Sequence, residues 1–265
     1  MDIHAIIVTA AVIGIIGLVC GAALAFVAAK FAVKENPLAA AALEALPGAN
    51  CGGCGFAGCA DYAKAIAEKD APLNMCAPGG AATAAKLAEI TGRAALEVEP
   101  MTAVVLCGGD SSAAKRKFDY NGIAECSAAN STAGGDKTCP YGCLGYGSCV
   151  RACANGAISV VNRVAVVDPS KCGACGACVK ACPRGLIKLV PKKHSFHVLC
   201  SSKDKGPAVR QYCSNGCIGC RICTKLDETG AFTADGFLAK VDYSKAPAVN
   251  EALPEKCPGH CIRKI

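Results

Sequence analysis

The residues with the clearest chemistry are thiols in short, regular runs. Cys172, Cys175, Cys178 and Cys182 are separated by two, two and three residues, and Pro183 follows the last. That spacing wraps three thiolates around one [4Fe-4S] cube and sends the fourth to a neighbouring cube. Gly173 and Gly176 let the backbone fold close to the sulfides. A tetrahedral zinc site pairs two separate Cys-x2-Cys knuckles, which one triple run does not supply.

Upstream, Cys139, Cys143, Cys149 and Cys153 form an expanded version of the same run, with Gly142, Gly145 and Gly147 in the longer loop. By the two-cluster ferredoxin rule, Cys139, Cys143 and Cys149 take Cys182, while Cys172, Cys175 and Cys178 take Cys153. Another constellation, Cys51-x2-Cys54-x4-Cys59-x16-Cys76, sits among Gly52, Gly53, Gly55 and Gly58. It predicts a further cluster, with a four-cysteine zinc site as the alternative. In the run Cys217-x2-Cys220-x2-Cys223, Asp227 stands where a fourth thiol belongs; Cys257-Pro258 completes the set, with Cys261 as the alternative ligand. Cys107, Cys126, Cys200 and Cys213 are left over, and four thiolates are the usual complement of a cube. They predict a fifth cluster, the alternatives being buried thiols or another metal.

The elements that must position these runs are short. Ala, Ile and Leu recur at helical intervals over 60–69 and 80–91, and Thr91-Gly92 reads as a stop. From Leu96 the pattern turns to strands at 104–106, 158–161, 164–167, 186–190 and 196–199, with Asn162-Arg163 as a hairpin turn. A weak internal repeat relates Val104-Val105-Leu106-Cys107 followed by Cys126 to His197-Val198-Leu199-Cys200 followed by Cys213. The fifth cluster is expected between these two copies.

Composition agrees with a string of small modules. The chain has 22 cysteines in 265 residues, no tryptophan and few aromatics, so no single large core organises it. Ala5–Ala29 carries no charge and is long enough to span a bilayer as a helix. Its start, Met1-Asp2-Ile3-His4, is not that of a cleaved leader, and Lys30 and Lys34 follow the span, so the soluble part is expected in the cytoplasm, where thiols stay reduced. Cys20, inside the span, reads as a small buried apolar side chain, and Gly17-x3-Gly21 suits the approach of another membrane helix.

The formal net charge is +7. Five oxidised clusters at about −2 each bring the holoprotein to roughly −3, so the basicity is no nucleic-acid signal. Lys115-Arg116-Lys117 and Lys192-Lys193 with Lys203 and Lys205 are candidate contacts for an acidic electron carrier. There is no dinucleotide or phosphate loop and no Ser, His and acid constellation. His4, His194, His197 and His260 read as ordinary polar residues.

Taken together, the apolar N-terminus, Leu46-Pro47-Gly48-Ala49-Asn50-Cys51-Gly52-Gly53-Cys54-Gly55-Phe56-Ala57-Gly58-Cys59, the Cys107 and Cys126 segment, Cys139-Pro140-Tyr141-Gly142-Cys143 and the later cysteine runs resemble the family of B subunits of the Rnf (Rsx) complex. That complex is an ion-translocating ferredoxin:NAD oxidoreductase. The resemblance implies an electron-transfer subunit of a translocase, with no independent turnover, that accepts electrons from reduced ferredoxin. It implies other membrane subunits of the complex as partners, and Na+ or H+ as the transported ion. The fold expected is α+β, in six parts: a transmembrane anchor (1–30), a helical [4Fe-4S] domain (31–92), repeat copy one (93–138), a two-cluster ferredoxin-like domain (139–190), repeat copy two (191–216) and a degenerate one-cluster ferredoxin-like domain (217–265). The alternatives are the ferredoxin-like subunit of another membrane oxidoreductase, or a zinc-bound structural protein.

Overall fold

The computed structural model describes residues 3–30, 36–94 and 97–265; Met1, Asp2, Lys34 and Leu96, which enter the expectations above, lie outside them. Helix α1 (Ile3–Lys30) has 28 residues. Its described side chains from 11 to 27 are all exposed, among them Ile13, Leu18, Leu24 and Phe26. Cys20 is exposed too rather than buried, because no described residue packs on this helix, and nothing lies within 4 Å of a side chain placed at Gly17 or Gly21. Among the described residues no helix is long and apolar enough to cross a membrane, so the structure does not establish the expected span.

Three helices form the next unit. In α2 (Pro37–Ala45), Asn36 caps the start by accepting the Leu38 N–H at 3.0 Å, and Pro37 occupies the first turn, where no donor is needed. It packs with α3 (Cys59–Lys69) and α4 (Gly80–Thr91) over Ala42, Tyr62, Ala63, Ile66 and Leu87. Gly92, with φ +66°, ends α4 in the left-handed conformation, as Thr91-Gly92 predicts. The buried Tyr62 hydroxyl donates to the Pro72 carbonyl at 2.6 Å and accepts the Met75 N–H at 3.3 Å, which fixes the loop carrying Cys76.

From residue 101 the chain runs twice through one order of elements. The first round is β1 (Met101–Val105), α5 (Cys126–Ser131), α6 (Ser148–Arg151), β2 (Ile158–Val161), β3 (Val164–Val167), α7 (Ala177–Ala181) and β4 (Ile187–Pro191). The second is β5 (Phe196–Val198), α8 (Gly206–Tyr212), α9 (Ile222–Leu226), β6 (Phe232–Asp235), β7 (Leu238–Val241), α10 (Leu253–Lys256) and β8 (Ile262–Lys264). In each round an antiparallel hairpin, β2–β3 or β6–β7, lies inside a pair made by the outer strands, β1–β4 or β5–β8. The first hairpin turns at Asn162 and Arg163, both with positive φ.

The outer pairs close alike. Leu106 N–H donates to the Leu186 carbonyl at 2.7 Å, and Leu199 N–H donates to the Cys261 carbonyl at 2.6 Å. The repeat is therefore longer than its sequence trace: it takes in both ferredoxin-like halves, including the hairpin 232–241, which the sequence pattern did not bring out. The cores are small and built partly of the thiols themselves. Val105, Ile158, Val164 and Ile187 pack with Cys143, Cys149 and Cys178 in one; Phe196, Phe232, Leu253 and Ile262 pack with Cys217, Cys223 and Cys257 in the other.

Candidate metal centres

The structure gathers the thiols into five sites. In site I, buried Cys76 faces Cys51, Cys54 and Cys59, and burial, reinforced by these neighbours, raises its pKa. Asn50 holds the loop with its side-chain oxygen 2.8 Å from the Cys59 N–H. Gly58 leaves room for that bond, since a Cβ there would lie 2.9 Å from the same oxygen. Site II is a cavity lined by Cys153, Cys172, Cys175 and Cys178, the grouping expected from the ferredoxin rule.

Sites III and IV differ from expectation. Cys126, Cys143, Cys149 and Cys182 line one cavity, and Cys107, Cys139, Cys200 and Cys213 line another. Cys126 and Cys139 have exchanged places relative to the sequence reading. The physical reason is the true register of the repeat. Cys139-x3-Cys143-x5-Cys149-x3-Cys153 matches Cys213-x3-Cys217-x5-Cys223-x3-Asp227, so Cys139 is the counterpart of Cys213, and Cys107 of Cys200. In this register Tyr146 stands where the second copy has Cys220. Cys126 makes up that missing thiol from the start of α5, its N–H held by the Ser148 hydroxyl at 2.9 Å.

Site V holds five thiols, Cys217, Cys220, Cys223, Cys257 and Cys261. The sulfurs of Cys257 and Cys261 are 3.6 Å apart. The Cys261 thiol beside them brings Cys217 down to about 6 and Cys257 down to about 5. Asp227, in the slot of a lost ligand, is consumed by its own loop. It accepts the Phe232 N–H at 2.7 Å, the Thr229 hydroxyl at 2.7 Å and the Thr229 N–H at 3.2 Å.

The donor set fits iron-sulfur clusters. Burial pushes Cys139, Cys178, Cys200 and Cys223 up to about 11 and Cys149 up to about 12, so the chain by itself disfavours these thiolates and a metal must supply the compensating charge. Backbone amides point at sulfurs: Ala103 N–H at Cys172, Ala157 at Cys153 and Ala239 at Cys217, each at 3.3 Å, and Leu186 at Cys182 at 3.4 Å. Such bonds orient ligands and tune cluster potentials. In four of the sites the thiols surround a common space, and among the described residues no three His, Cys, Asp or Glu side chains are placed to hold a single ion.

Two cations are built into these walls, neither singled out by the sequence pattern. Lys137, 1% exposed, lines site IV and donates to the carbonyls of Gly109 at 2.6 Å and Arg163 at 3.0 Å. Arg184 lines site III and donates to the carbonyls of Cys139 at 3.1 Å and Gly142 at 2.5 Å, tying the loop of one site to the wall of the other. Beside Lys137, fully buried Asp136 pairs with Arg163 at 2.6 Å and Arg116 at 3.1 Å. Arg116 of the candidate basic patch is thus paired with a carboxylate of its own chain, as Lys193 is with Glu99 at 2.6 Å on the surface.

Comparison with known proteins gives the family. One family model, described as "Putative Fe-S cluster", matches residues 46–78, which hold site I; another, "4Fe-4S binding domain", matches residues 165–188. The chain is 43% identical to the B subunit of the proton-translocating ferredoxin:NAD(+) oxidoreductase complex of Clostridium ljungdahlii, over 99% of this chain and 93% of that protein. The chain belongs to the family of Rnf B subunits. Two further relatives are 42% identical, the B subunit of an ion-translocating oxidoreductase complex of Methanosarcina acetivorans, and 40% identical, the B subunit of the Na(+)-translocating ferredoxin:NAD(+) oxidoreductase complex of Acetobacterium woodii. They cover 95% and 98% of this chain, and 96% and 78% of their own lengths. The likeness to Rnf B subunits therefore runs over all five sites rather than one motif.

Proposed function

We propose that this chain is a membrane-anchored relay that accepts electrons from reduced ferredoxin and passes them through five [4Fe-4S] clusters toward the membrane subunits of an ion-translocating ferredoxin:NAD oxidoreductase. The twenty ligands are Cys51, Cys54, Cys59 and Cys76; Cys153, Cys172, Cys175 and Cys178; Cys126, Cys143, Cys149 and Cys182; Cys107, Cys139, Cys200 and Cys213; and Cys217, Cys220, Cys223 and Cys257. Each cluster, when bound, supplies one-electron chemistry without bond making or breaking in a substrate.

The observation that carries this reading is the contact between each site and the next. A Cβ on Gly53 of site I would lie 2.9 Å from the Cys175 carbonyl oxygen of site II. Short helix α6 leads from Cys149 of site III to Cys153 of site II, and α7 from Cys178 of site II to Cys182 of site III. Cys143 N–H of site III meets the Cys107 sulfur of site IV at 3.2 Å. Gly216 lines site IV, and the next residue, Cys217, lines site V. The five sites thus support a single file, I to V.

Cys220, at the far end of that file, is exposed, with Arg221, half-exposed Ile222 and Phe237, and Lys205 over the Phe237 ring at 6.0 Å. A basic and apolar rim around an accessible ligand suits an acidic carrier such as ferredoxin. At the other end, the exposed apolar side chains of α1 support an anchor in the cell membrane, with Lys30 on the side of the cluster-bearing part. That end supports delivery to membrane partners.

The test is the anaerobically purified chain lacking residues 1–30, assayed for iron, sulfide and zinc. About 20 irons per chain, with cubane signals that appear on reduction by ferredoxin, are expected. Zinc in place of iron would overturn the relay.

A further inference from the structure

Site V offers five thiols where a cube takes four, and the repeat tells which is the surplus. Cys153, Cys182 and Cys257 occupy one loop position. Three residues after each comes a residue with positive φ, Gly156 at 59°, Gly185 at 59° and His260 at 47°. The fourth residue on is Ala157, Leu186 or Cys261, and the fifth is Ile158, Ile187 or Ile262, where a strand begins. In all three the third residue on donates its N–H to the loop cysteine's carbonyl, Gly156 to Cys153, Gly185 to Cys182 and His260 to Cys257, and in the first two the amide of the fourth residue also donates to the loop sulfur, Ala157 to Cys153 and Leu186 to Cys182. Leu186 and Cys261 also give their carbonyls to equivalent partners, Leu106 and Leu199.

Cys257 is therefore the ligand counterpart, and Cys261 stands where the other copies bury an apolar side chain. Ala157, Leu186 and Cys261 are 3%, 2% and 1% exposed. Two sulfurs 3.6 Å apart are within hydrogen-bond reach of each other, and Cys217 lines the same cavity.

Building on the relay reading, we propose that Cys261 is a positioning residue rather than a ligand: a buried thiol whose single S–H donates to the ligand sulfur of Cys257 and raises the reduction potential of the site V cluster. A donor aimed at ligand sulfur favours the form with the extra electron, because it stabilises the added negative charge. Sites II and III, with Ala157 and Leu186 in this place, have no such donor. The terminal site is thereby set apart from its neighbours in the file.

The test uses the full chain, purified anaerobically, with EPR-monitored redox titration. Cys261→Ala, which copies Ala157, is expected to keep the iron and sulfide content of the wild type while one cluster moves to a more negative midpoint. Cys261→Ser, which keeps a donor, is expected to restore part of that shift. Cys257→Ala is expected to lose one cluster's worth of iron. Loss of that iron in Cys261→Ala, its retention in Cys257→Ala, or unchanged midpoints in Cys261→Ala would each overturn the proposal. The wild-type iron count tests the relay on its own, so the two readings fail separately.

Discussion

The Cys143 amide lies 3.2 Å from the Cys107 sulfur, joining two thiol sites that draw on different stretches of chain. Cys143 lines the cavity with Cys126, whereas Cys107 lines the one with Cys139. The boundary between the two sites is one peptide unit wide, so the assignment of each thiol has measurable consequences.

Paired substitutions separate the two assignments. Cys126→Ser with Cys143→Ser strikes one site and is expected to remove about four irons, whereas Cys139→Ser with Cys143→Ser strikes two and removes about eight. The reverse result, about eight irons lost in the first pair and about four in the second, would restore the grouping read from spacing alone.

Lys137 places a buried positive charge in the wall of site IV. Lys137→Gln is expected to shift that site's midpoint to a more negative value and to cost about 1–3 kcal/mol through the unpaired carbonyls of Gly109 and Arg163. Redox titration and thermal melting of the same preparation read the two effects.

Asp136 is buried against two arginines that are themselves partly exposed. Asp136→Asn leaves Arg163 without its paired carboxylate and Arg116 with Asp119 alone, at 2.9 Å, and is expected to destabilise the fold by about 3 kcal/mol, toward the lower end for a broken buried pair because water reaches the arginines. Denaturant unfolding with the clusters intact measures it.

His197 is held neutral. Burial brings it down to about 4, with His194 beside it adding to the effect, and its Nδ1 lies 3.0 Å from the Tyr243 hydroxyl. Arg263 faces it across the β5–β8 pair. An unfolded histidine takes up its proton near pH 6.5, so the unfolded state binds more protons between there and about 4, and stability falls as pH drops through that window. Melting temperatures from pH 7.5 to 5.5 are expected to fall more steeply in the wild type than in His197→Gln.

Chelation of iron is expected to unfold the part beyond residue 100 rather than leave an empty scaffold. Cys143, Cys149 and Cys178 in one core, and Cys217, Cys223 and Cys257 in the other, are packed among the buried apolar residues. Burial disfavours ionisation of Cys149, Cys178 and Cys223, so these cores depend on the metal. Proteolysis before and after chelation checks it.

Much of this was legible in the sequence. The four thiols that the ferredoxin rule groups, Cys153, Cys172, Cys175 and Cys178, are the ones that line site II, and Cys51, Cys54, Cys59 and Cys76 are the ones that meet in site I. Helices over 60–69 and 80–91 and the turn at Asn162-Arg163 followed from local pattern. What was missed came from register. Aligning Cys126 with Cys213 followed their order after a strand, whereas the x3, x5, x3 spacing from Cys139 and from Cys213 carries the true match. Tyr146 in place of Cys220 and Asp227 in place of a cysteine blur that spacing. Lys137 and Arg184 carried no signal, because their roles depend on carbonyls far away in sequence, such as Gly109 and Cys139.

Site IV takes two thiols from each round of the chain, Cys107 with Cys139 and Cys200 with Cys213. A polypeptide carrying only one round could build that centre only by pairing with a second molecule across a two-fold axis. Joining both rounds in one chain turns a dilution-sensitive encounter into an intramolecular one, held at the high effective concentration of a tether. In the proposed relay, the fourth centre of the file is thus independent of subunit abundance.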